Sequence, residues 1–203
     1  DWASRFSRPE LSIVGSQEHT DLARIAAERS ITLVRNDAGV LPLALDSSAR
    51  VAAIMPEPKD LTPADTSKTV PPALAAALRD HHSNVDEFIV GHPPTDHDIT
   101  EMRDRAGDYD LIVLGTISAS MDDQQAELAR RLVETGTRVV VLALRTPYDL
   151  LAIPDAATYV CSYGLRRPSM EAAAGALFGA IPFVGRLPVT LSDQYPLGHG
   201  STA

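Results

Sequence analysis

Three consecutive stretches, Tyr109-Asp-Leu-Ile-Val-Leu-Gly115, residues 121–135 and Arg138-Val-Val-Val-Leu-Ala-Leu144, decide how this chain folds. The first and third are continuous apolar runs rich in β-branched residues, the mark of strands buried on both faces. Between them Leu128, Leu132 and Val133 recur at helical spacing, so the middle stretch predicts an amphipathic helix. Strand, helix and strand of this kind make a parallel unit joined by a right-handed crossover.

The same alternation extends both ways. Upstream, residues 50–55 read as a strand and residues 71–82 as a helix with Leu74, Ala75 and Leu78 on one face. Residues 85–90 read as a second strand, closed by Gly91-His-Pro-Pro94, and residues 96–105 as a helix. Downstream come a short strand at 158–162 and a helix at 169–180 carrying Met170, Ala173, Ala174 and Leu177. Near the start, residues 19–30 predict a helix with Leu22, Ile25 and Ala26 on one face, capped by Ser16 or Thr20. Ile31-Thr-Leu-Val34 follows as a buried strand or its start, and Asn36-Asp-Ala-Gly39 as a turn. The sum is an α/β fold, a three-layer doubly wound sandwich of flavodoxin-like shape with a mostly parallel sheet. Ligands of such sheets gather at the carboxyl ends of the strands, here the loops 56–67, 92–97, 116–123, 145–149 and 163–168.

Composition narrows the function classes. The 203 residues are 44% hydrophobic and 22% charged, ordinary for a globular chain able to bury a sizeable core. Lys+Arg number 18 against Asp+Glu 27, a formal charge of −9 that opposes nucleic acid and anionic membrane surfaces as partners. Aromatics are only 5%, too few for a base-stacking platform. Cys161 is the single cysteine, so no internal disulfide or cysteine-cluster zinc site is expected. The apolar runs are far shorter than a membrane span. The chain opens Asp1-Trp2 without an initiator Met or a secretory pattern, which suggests a fragment or a processed chain. Residues 1–15 read as a linker or leading arm, and residues 16–203 as the domain.

Motifs of familiar chemistry are missing. No Gly-x-Gly-x-x-Gly follows a strand, and neither a P-loop pattern nor Gly-x-Ser-x-Gly occurs. His81-His82 ends a helix, and His92 and His97 are five apart across two prolines, a spacing that fits no standard zinc pattern, so surface or capping roles are expected. Asp122 and Asp123 open a helix, and Ser120 with Asp123 has the form of a capping box. Asp60 and Asp65 sit in a Thr- and Asp-rich loop that suits Asx turns. Arg145, Tyr148, Asp149, Arg166 and Arg167 read as loop residues, and Cys161 as an inert core thiol. These residues make no catalytic constellation, and neither a metal nor a cofactor is implied.

Two stretches are more specific than the fold. One runs His19-x-x-Leu22-Ala-Arg24, then Ala26-Ala-Glu28-Arg-Ser-Ile-Thr-Leu-Val-Arg-Asn36, then Gly39-Val-Leu-Pro-Leu43. The other runs Gly175-Ala-Leu-Phe-Gly179, Ile181-Pro182 and Gly185-Arg-Leu-Pro-Val-Thr-Leu191. Physically, Gly39 permits a chain reversal, Gly185 a tight entry to residues 186–191, and Pro188 marks an edge or irregular strand. As a pair, these stretches resemble the openings and closings of the C-terminal α/β sandwich domain of glycoside hydrolase family 3, over about residues 14–200.

What the resemblance implies turns on the acid. Retaining glycosidases flank the glycosidic bond with a carboxylate nucleophile and a general acid/base. In the family the nucleophile is an Asp on an N-terminal (β/α)₈ barrel, which 203 residues cannot also hold. The β-glucosidase branch draws its acid, a Glu, from the sandwich loop that corresponds here to Ile117-Ser-Ala-Ser-Met-Asp-Asp123, which has neither Glu nor Arg. The β-N-acetylglucosaminidase branch carries a His–Asp pair on the barrel instead. The resemblance therefore implies a non-catalytic domain of a parent that cleaves terminal β-N-acetylglucosaminides, as in cell-wall recycling or chitin breakdown. Its partners would be that barrel and the parent's saccharide. The loop bearing Ser118, Ser120 and Asp122 is the best candidate to face the sugar. Two rival readings are a β-glucosidase-like parent whose acid has moved to Asp122, and a free-standing small-molecule-binding module. The rivals differ in surface, because only a domain cut from a partner leaves an apolar patch exposed.

Overall fold

Apolar runs that alternate inward on two sides produce the sheet. The structure, a computed structural model, describes residues 10–60 and 62–202. Among these, six strands pair in one sheet: β1 (Thr32–Asn36), β2 (Val51–Pro56), β3 (Val85–Val90), β4 (Leu111–Thr116), β5 (Val139–Ala143) and β6 (Thr158–Cys161). Their order is β1-β6-β5-β4-β2-β3, and every pairing is parallel except β1 with β6. The helices are α1 (Gln17–Ser30), α2 (Leu74–Arg79), α3 (Asp96–Arg105), α4 (Asp123–Glu134), α5 (Asp149–Ala152) and α6 (Arg167–Leu177).

Each face of the sheet owns one core. Val51, Ala53, Met55, Leu111, Val113, Val140 and Leu142 point to the side covered by α2 and α6. Their neighbours Ala52, Ile54, Ile112, Leu114, Val141 and Ala143 point to the side covered by α3, α4 and α5. The period of two persists inside runs that look uniformly apolar, because both faces are covered. The three-layer doubly wound sandwich read from the sequence is the observed fold.

Element ends follow local chemistry. Helix α6 begins with Pro168 in its first turn and ends in a Schellman motif. There Gly179, at φ +73°, bonds back to Ala176 O and Ala180 N to Gly175 O. That is the physical role of the Gly175-to-Gly179 stretch. Helix α2 is shorter than its apolar pattern: it stops at Arg79, and His81 and His82 stack on Phe178 instead. His82 is buried, with Nε2 2.7 Å from Ala49 O, a core role and not the surface role expected of it. The short helix α5 lies where a plain loop was expected.

The two specific stretches touch. Strand β1 runs antiparallel on the edge beside β6, with a register shift between Leu33 and Arg35. Gly185 N donates to Ile31 O, Ser201 N to Leu33 O, and His199 Nε2 meets Val34 O at 2.9 Å. Arg35 Nε donates to Tyr195 Oη at 2.7 Å, and its guanidinium lies over that ring. Residues 186–191, expected as an edge or irregular strand, join no strand of the sheet; the segment is held by these bonds and an isolated bridge between Ser192 and Tyr195. Asn36 closes the following turn, its Oδ1 accepting from Val40 N and Leu41 N, while Gly39 takes φ +60°.

One helix face is left uncovered. Leu22 is 63% exposed, Ile25 is also exposed, and Ala27 is the only buried residue of α1 among those described. Leu11 and Val14, just before it, are exposed too. Of the proposed arm at 1–15, residues 1–9 lie outside the described residues; Leu11–Ile13 form a single 3₁₀ turn.

A Cβ on Gly185 would stand 2.6 Å from Ile31 O and nearer still to Ser30 O and Thr32 Oγ1. Gly185→Ala should therefore lose about 3 kcal/mol or more in urea unfolding. Gly107→Ala, which meets no atom within 4 Å, should change stability by less than about 0.5 kcal/mol.

Candidate functional site

The chain leaves β2 to form β3 on one side, then crosses back to place β4 on the other, so β2 and β4 border the point where the winding reverses. Crevices at that point are where open α/β sheets bind ligands. Here a cavity of about 510 Å³ opens among the loops that follow β2, β3 and β4, lined by Lys59, His92, Ile117, Ser118, Met121 and Asp122 among others. A larger hollow of about 620 Å³ lies against α2 and the start of α6. It is walled largely by prolines and alanines and by Arg167, already paired with Glu171 at 2.6 Å.

The loop after β4 is held rigidly from beneath. Gln125 is buried on α4; its Oε1 accepts from Ile117 N at 2.8 Å and its Nε2 donates to Ile117 O at 3.0 Å. Asp149, at the start of α5, is fully buried and accepts from Thr116 Oγ1 at 2.7 Å and from Ser120 N and Oγ at 3.1 and 3.3 Å. Burial pushes the Asp149 carboxyl above the ordinary carboxylate range, and these donors pull it part of the way back. Between the two anchors, Ser118 adopts a left-handed backbone at φ +59° and Ala119–Met121 make one 3₁₀ turn.

The three residues singled out from the sequence meet different fates. Ser118 lines the cavity and is only 6% exposed. Ser120 turns its hydroxyl to Asp149. Asp122, not Ser120, is the N-cap of α4: its Oδ1 accepts from Gln124 N and Gln125 N, and its Oδ2 from Gln125 Nε2 at 2.8 Å. The Ser120–Asp123 capping box read from sequence is not formed, since Asp149 takes the serine. A capping box does form at α3, between Thr95 and Asp98.

His92 belongs to this site, although its spacing from His97 suggested nothing. Its side chain is 7% exposed, with Nδ1 3.0 Å from Glu57 O and Nε2 4.0 Å from Asp122 Oδ2. The usable signal was topological: the loop after β3 must lie beside the loop after β4 once both flank β2. His97 stays exposed on α3. Among the described residues no group of three His, Cys, Asp or Glu side chains is placed to hold a metal ion.

The remaining crest residues bond to one another. Asp65 Oδ1 accepts from Ser67 N as an Asx turn, and its Oδ2 pairs with Arg145 Nη1 at 2.9 Å. Asp60 accepts from Lys68 N, and Arg166 Nη2 donates to Thr66 Oγ1. Burial raises the Cys161 thiol far above its ordinary range, so it is the inert core group expected.

The fold is thus a doubly wound α/β sandwich whose switch-point loop ends on a carboxylate, Asp122, that caps α4. Residues 31–197 match the glycosyl hydrolase family 3 C-terminal domain, and the chain belongs to that family. It is similar to the beta-N-acetylglucosaminidase/beta-glucosidase of Cellulomonas fimi, 26% identical over 199 residues that cover 87% of this chain and 33% of that protein. The family 3 beta-N-acetylglucosaminidase structure from Paenibacillus sp. str. FPU-7 is 26% identical and superposes with a TM-score of 0.77, again over 87% of this chain and 33% of that one. The beta-glucosidase of Listeria innocua, at 15% identity and a TM-score of 0.74, shares the fold over 97% of this chain and 35% of its own. The chain thus spans about a third of the length of these relatives.

Removing the Asp149 carboxylate leaves Ser120 N and Thr116 Oγ1 unsatisfied, so Asp149→Ala should cost about 3 kcal/mol in chemical denaturation. The pH dependence has a definite sign. Folded Asp149 holds its proton more tightly than the unfolded chain does, so its contribution is complete below about pH 4 and declines as pH rises through the raised value. The stability difference between wild type and Asp149→Asn should accordingly move in favour of the variant from pH 4 to pH 7, as read by urea midpoints. A difference that stays flat contradicts the buried, proton-holding carboxyl.

Proposed function

We propose that this chain is the non-catalytic sandwich domain of a glycosidase that, at full length, removes terminal β-linked N-acetylglucosamine. The observation that carries the reading is the loop after β4. It offers no Glu, and its own carboxylate, Asp122, accepts three hydrogen bonds as a helix cap. Bound in this way it acts as an acceptor, the opposite of what a proton donor to a leaving oxygen must be. The acid then has to come from outside this domain, together with the nucleophile. That argument also weighs against a β-glucosidase-like parent with its acid at Asp122.

The partner in this reading is an N-terminal (β/α)₈ barrel of the same parent. The uncovered face of α1, with Leu22 and Ile25, supports a large neighbouring body, as does Met121 at 89% exposure on the tip of the switch-point loop. A free-standing binding module has no need of such surface. The domain braces the barrel and presents residues 118–122 to the rim of the sugar site.

The test compares the full-length parent with the 203-residue chain on p-nitrophenyl N-acetyl-β-glucosaminide and p-nitrophenyl β-glucoside. Expected are turnover by the parent, with the N-acetylated substrate preferred, and none by the chain alone. Hydrolysis by the isolated chain defeats the assignment, and a parent that cleaves only the glucoside moves it to the other branch.

A further inference from the structure

Two side chains from different loops face each other across the switch-point cavity without bonding. His92, after β3, has its side chain 7% exposed. A carbonyl only accepts, so its Nδ1 carries the proton that is donated to Glu57 O at 3.0 Å. Its Nε2 stands 4.0 Å from Asp122 Oδ2 at the start of α4. In the neutral ring that nitrogen is an acceptor, and two acceptors do not draw together. A second proton on the imidazole reverses this, because Nε2–H becomes a charged donor beside a carboxylate. Asp122 keeps its cap bonds meanwhile: Oδ1 serves Gln124 N and Gln125 N, and Oδ2 accepts from Gln125 Nε2 at 2.8 Å. A carboxylate oxygen has room for a second donor.

We propose that His92 and Asp122 form a proton-operated clamp between the loops after β3 and β4, open with the neutral ring and closed with the imidazolium. Closing turns the 4.0 Å contact into a charge-assisted hydrogen bond of about 2.8 Å, and so draws one wall of the cavity about 1 Å toward the other. The two segments are already tied at the surface, where Gln124 Nε2 donates to Asp96 Oδ1 at 3.2 Å, and the clamp adds a second, less exposed tie. The charges around the ring leave Asp122 as its partner. From the loop after β2, Lys59 Nζ donates to His92 O at 3.4 Å, Lys68 pairs with Asp60 at 3.2 Å, and Glu57 offers the ring its carbonyl. On the side of α3, Asp98 accepts from Gly91 N and Thr95 N, and the exposed His97 lies 3.9 Å from Glu101. Asp123, next along α4, also lines the cavity and adds to its negative charge. Asp122 thus supplies the counter-charge that a mostly buried cation needs. The clamp uses only this chain's own groups and does not depend on the glycosidase reading.

The experiment follows the isotope-labelled 203-residue chain by NMR from about pH 8 to about pH 5, the range over which imidazoles ordinarily gain charge, reading the His92 ring and the backbone amides. In the wild type the amides of residues 117–125 are expected to shift along the same curve as the His92 ring. The Nε2 proton should become observable at the acid end as its exchange slows. Asp122→Asn keeps a good helix cap but removes the counter-charge, so His92 should still take its proton while the amides of 117–125 stop following it. His92→Asn keeps a donor for Glu57 O and removes the titrating ring, and the same response should be lost. Each variant preserves a different local bond, so one that disturbs its loop leaves the other to decide. Loop amides that stay still while the wild-type ring titrates overturn the clamp, as does a loop response that either folded variant retains in full. A ring that takes no proton down to about pH 5 overturns it too. The parent's substrate preference enters none of these outcomes, so the clamp and the glycosidase reading fail separately.

Discussion

The contact that organises this domain is backbone against backbone: Gly185 lying on Ile31, with the return of residues 198–201 along β1. Strand β1 runs against the direction of its neighbour and sits at the sheet edge, where a strand is otherwise held from one side only. The closing segment supplies the other side through Ser201, His199 and the Arg35–Tyr195 contact. Without it the edge is open and the helix α1, which leads straight into β1, is held mainly by its packing on α6. These partners lie about 150 residues apart in the chain, so their contact is among the most non-local in the fold and closing it carries a large loop-closure cost.

At the opposite end of logic, the switch-point loop is built from buried polar groups. Gln125 replaces the ladder bonds that the backbone of Ile117 loses as it leaves β4, and Asp149 does the same for Ser120. Each is a polar side chain buried in an apolar layer, tolerated because its donors and acceptors are met. The consequence is that Ser118, a left-handed and nearly buried residue, keeps a fixed place beside the cavity. The support from beneath fixes the geometry in which the exposed tip, Met121, is presented.

Much of this was legible in the residues. The runs at 109–115 and 138–144 specify buried parallel strands, and the limits of β3 and α3 coincide with their patterns, 85–90 and 96–105. Gly185 reads from the sequence as a tight entry to the segment after it; the backbone of Ser30 and Ile31 pressed against it is what the structure adds. Other readings missed for identifiable reasons. A Ser three residues before an Asp looks like a capping box, but the buried Asp149 competes for the serine from a residue far along the chain. His82 looks like a surface residue at a helix end until Ala49 O and Phe178 close over it.

By itself, then, the sequence determined the layer architecture, the strands and helices, and the pair of stretches that mark the family. Those follow from hydrophobic periodicity and local chain geometry, which act between near neighbours. Only the tertiary structure decided that His92 joins Ser118 and Asp122, that Asp149 anchors the loop, and that α1 keeps Leu22 and Ile25 outside. Each depends on which strand crosses to which side of β2 and on what mass covers a helix, and such choices are made by long-range packing that no local pattern encodes.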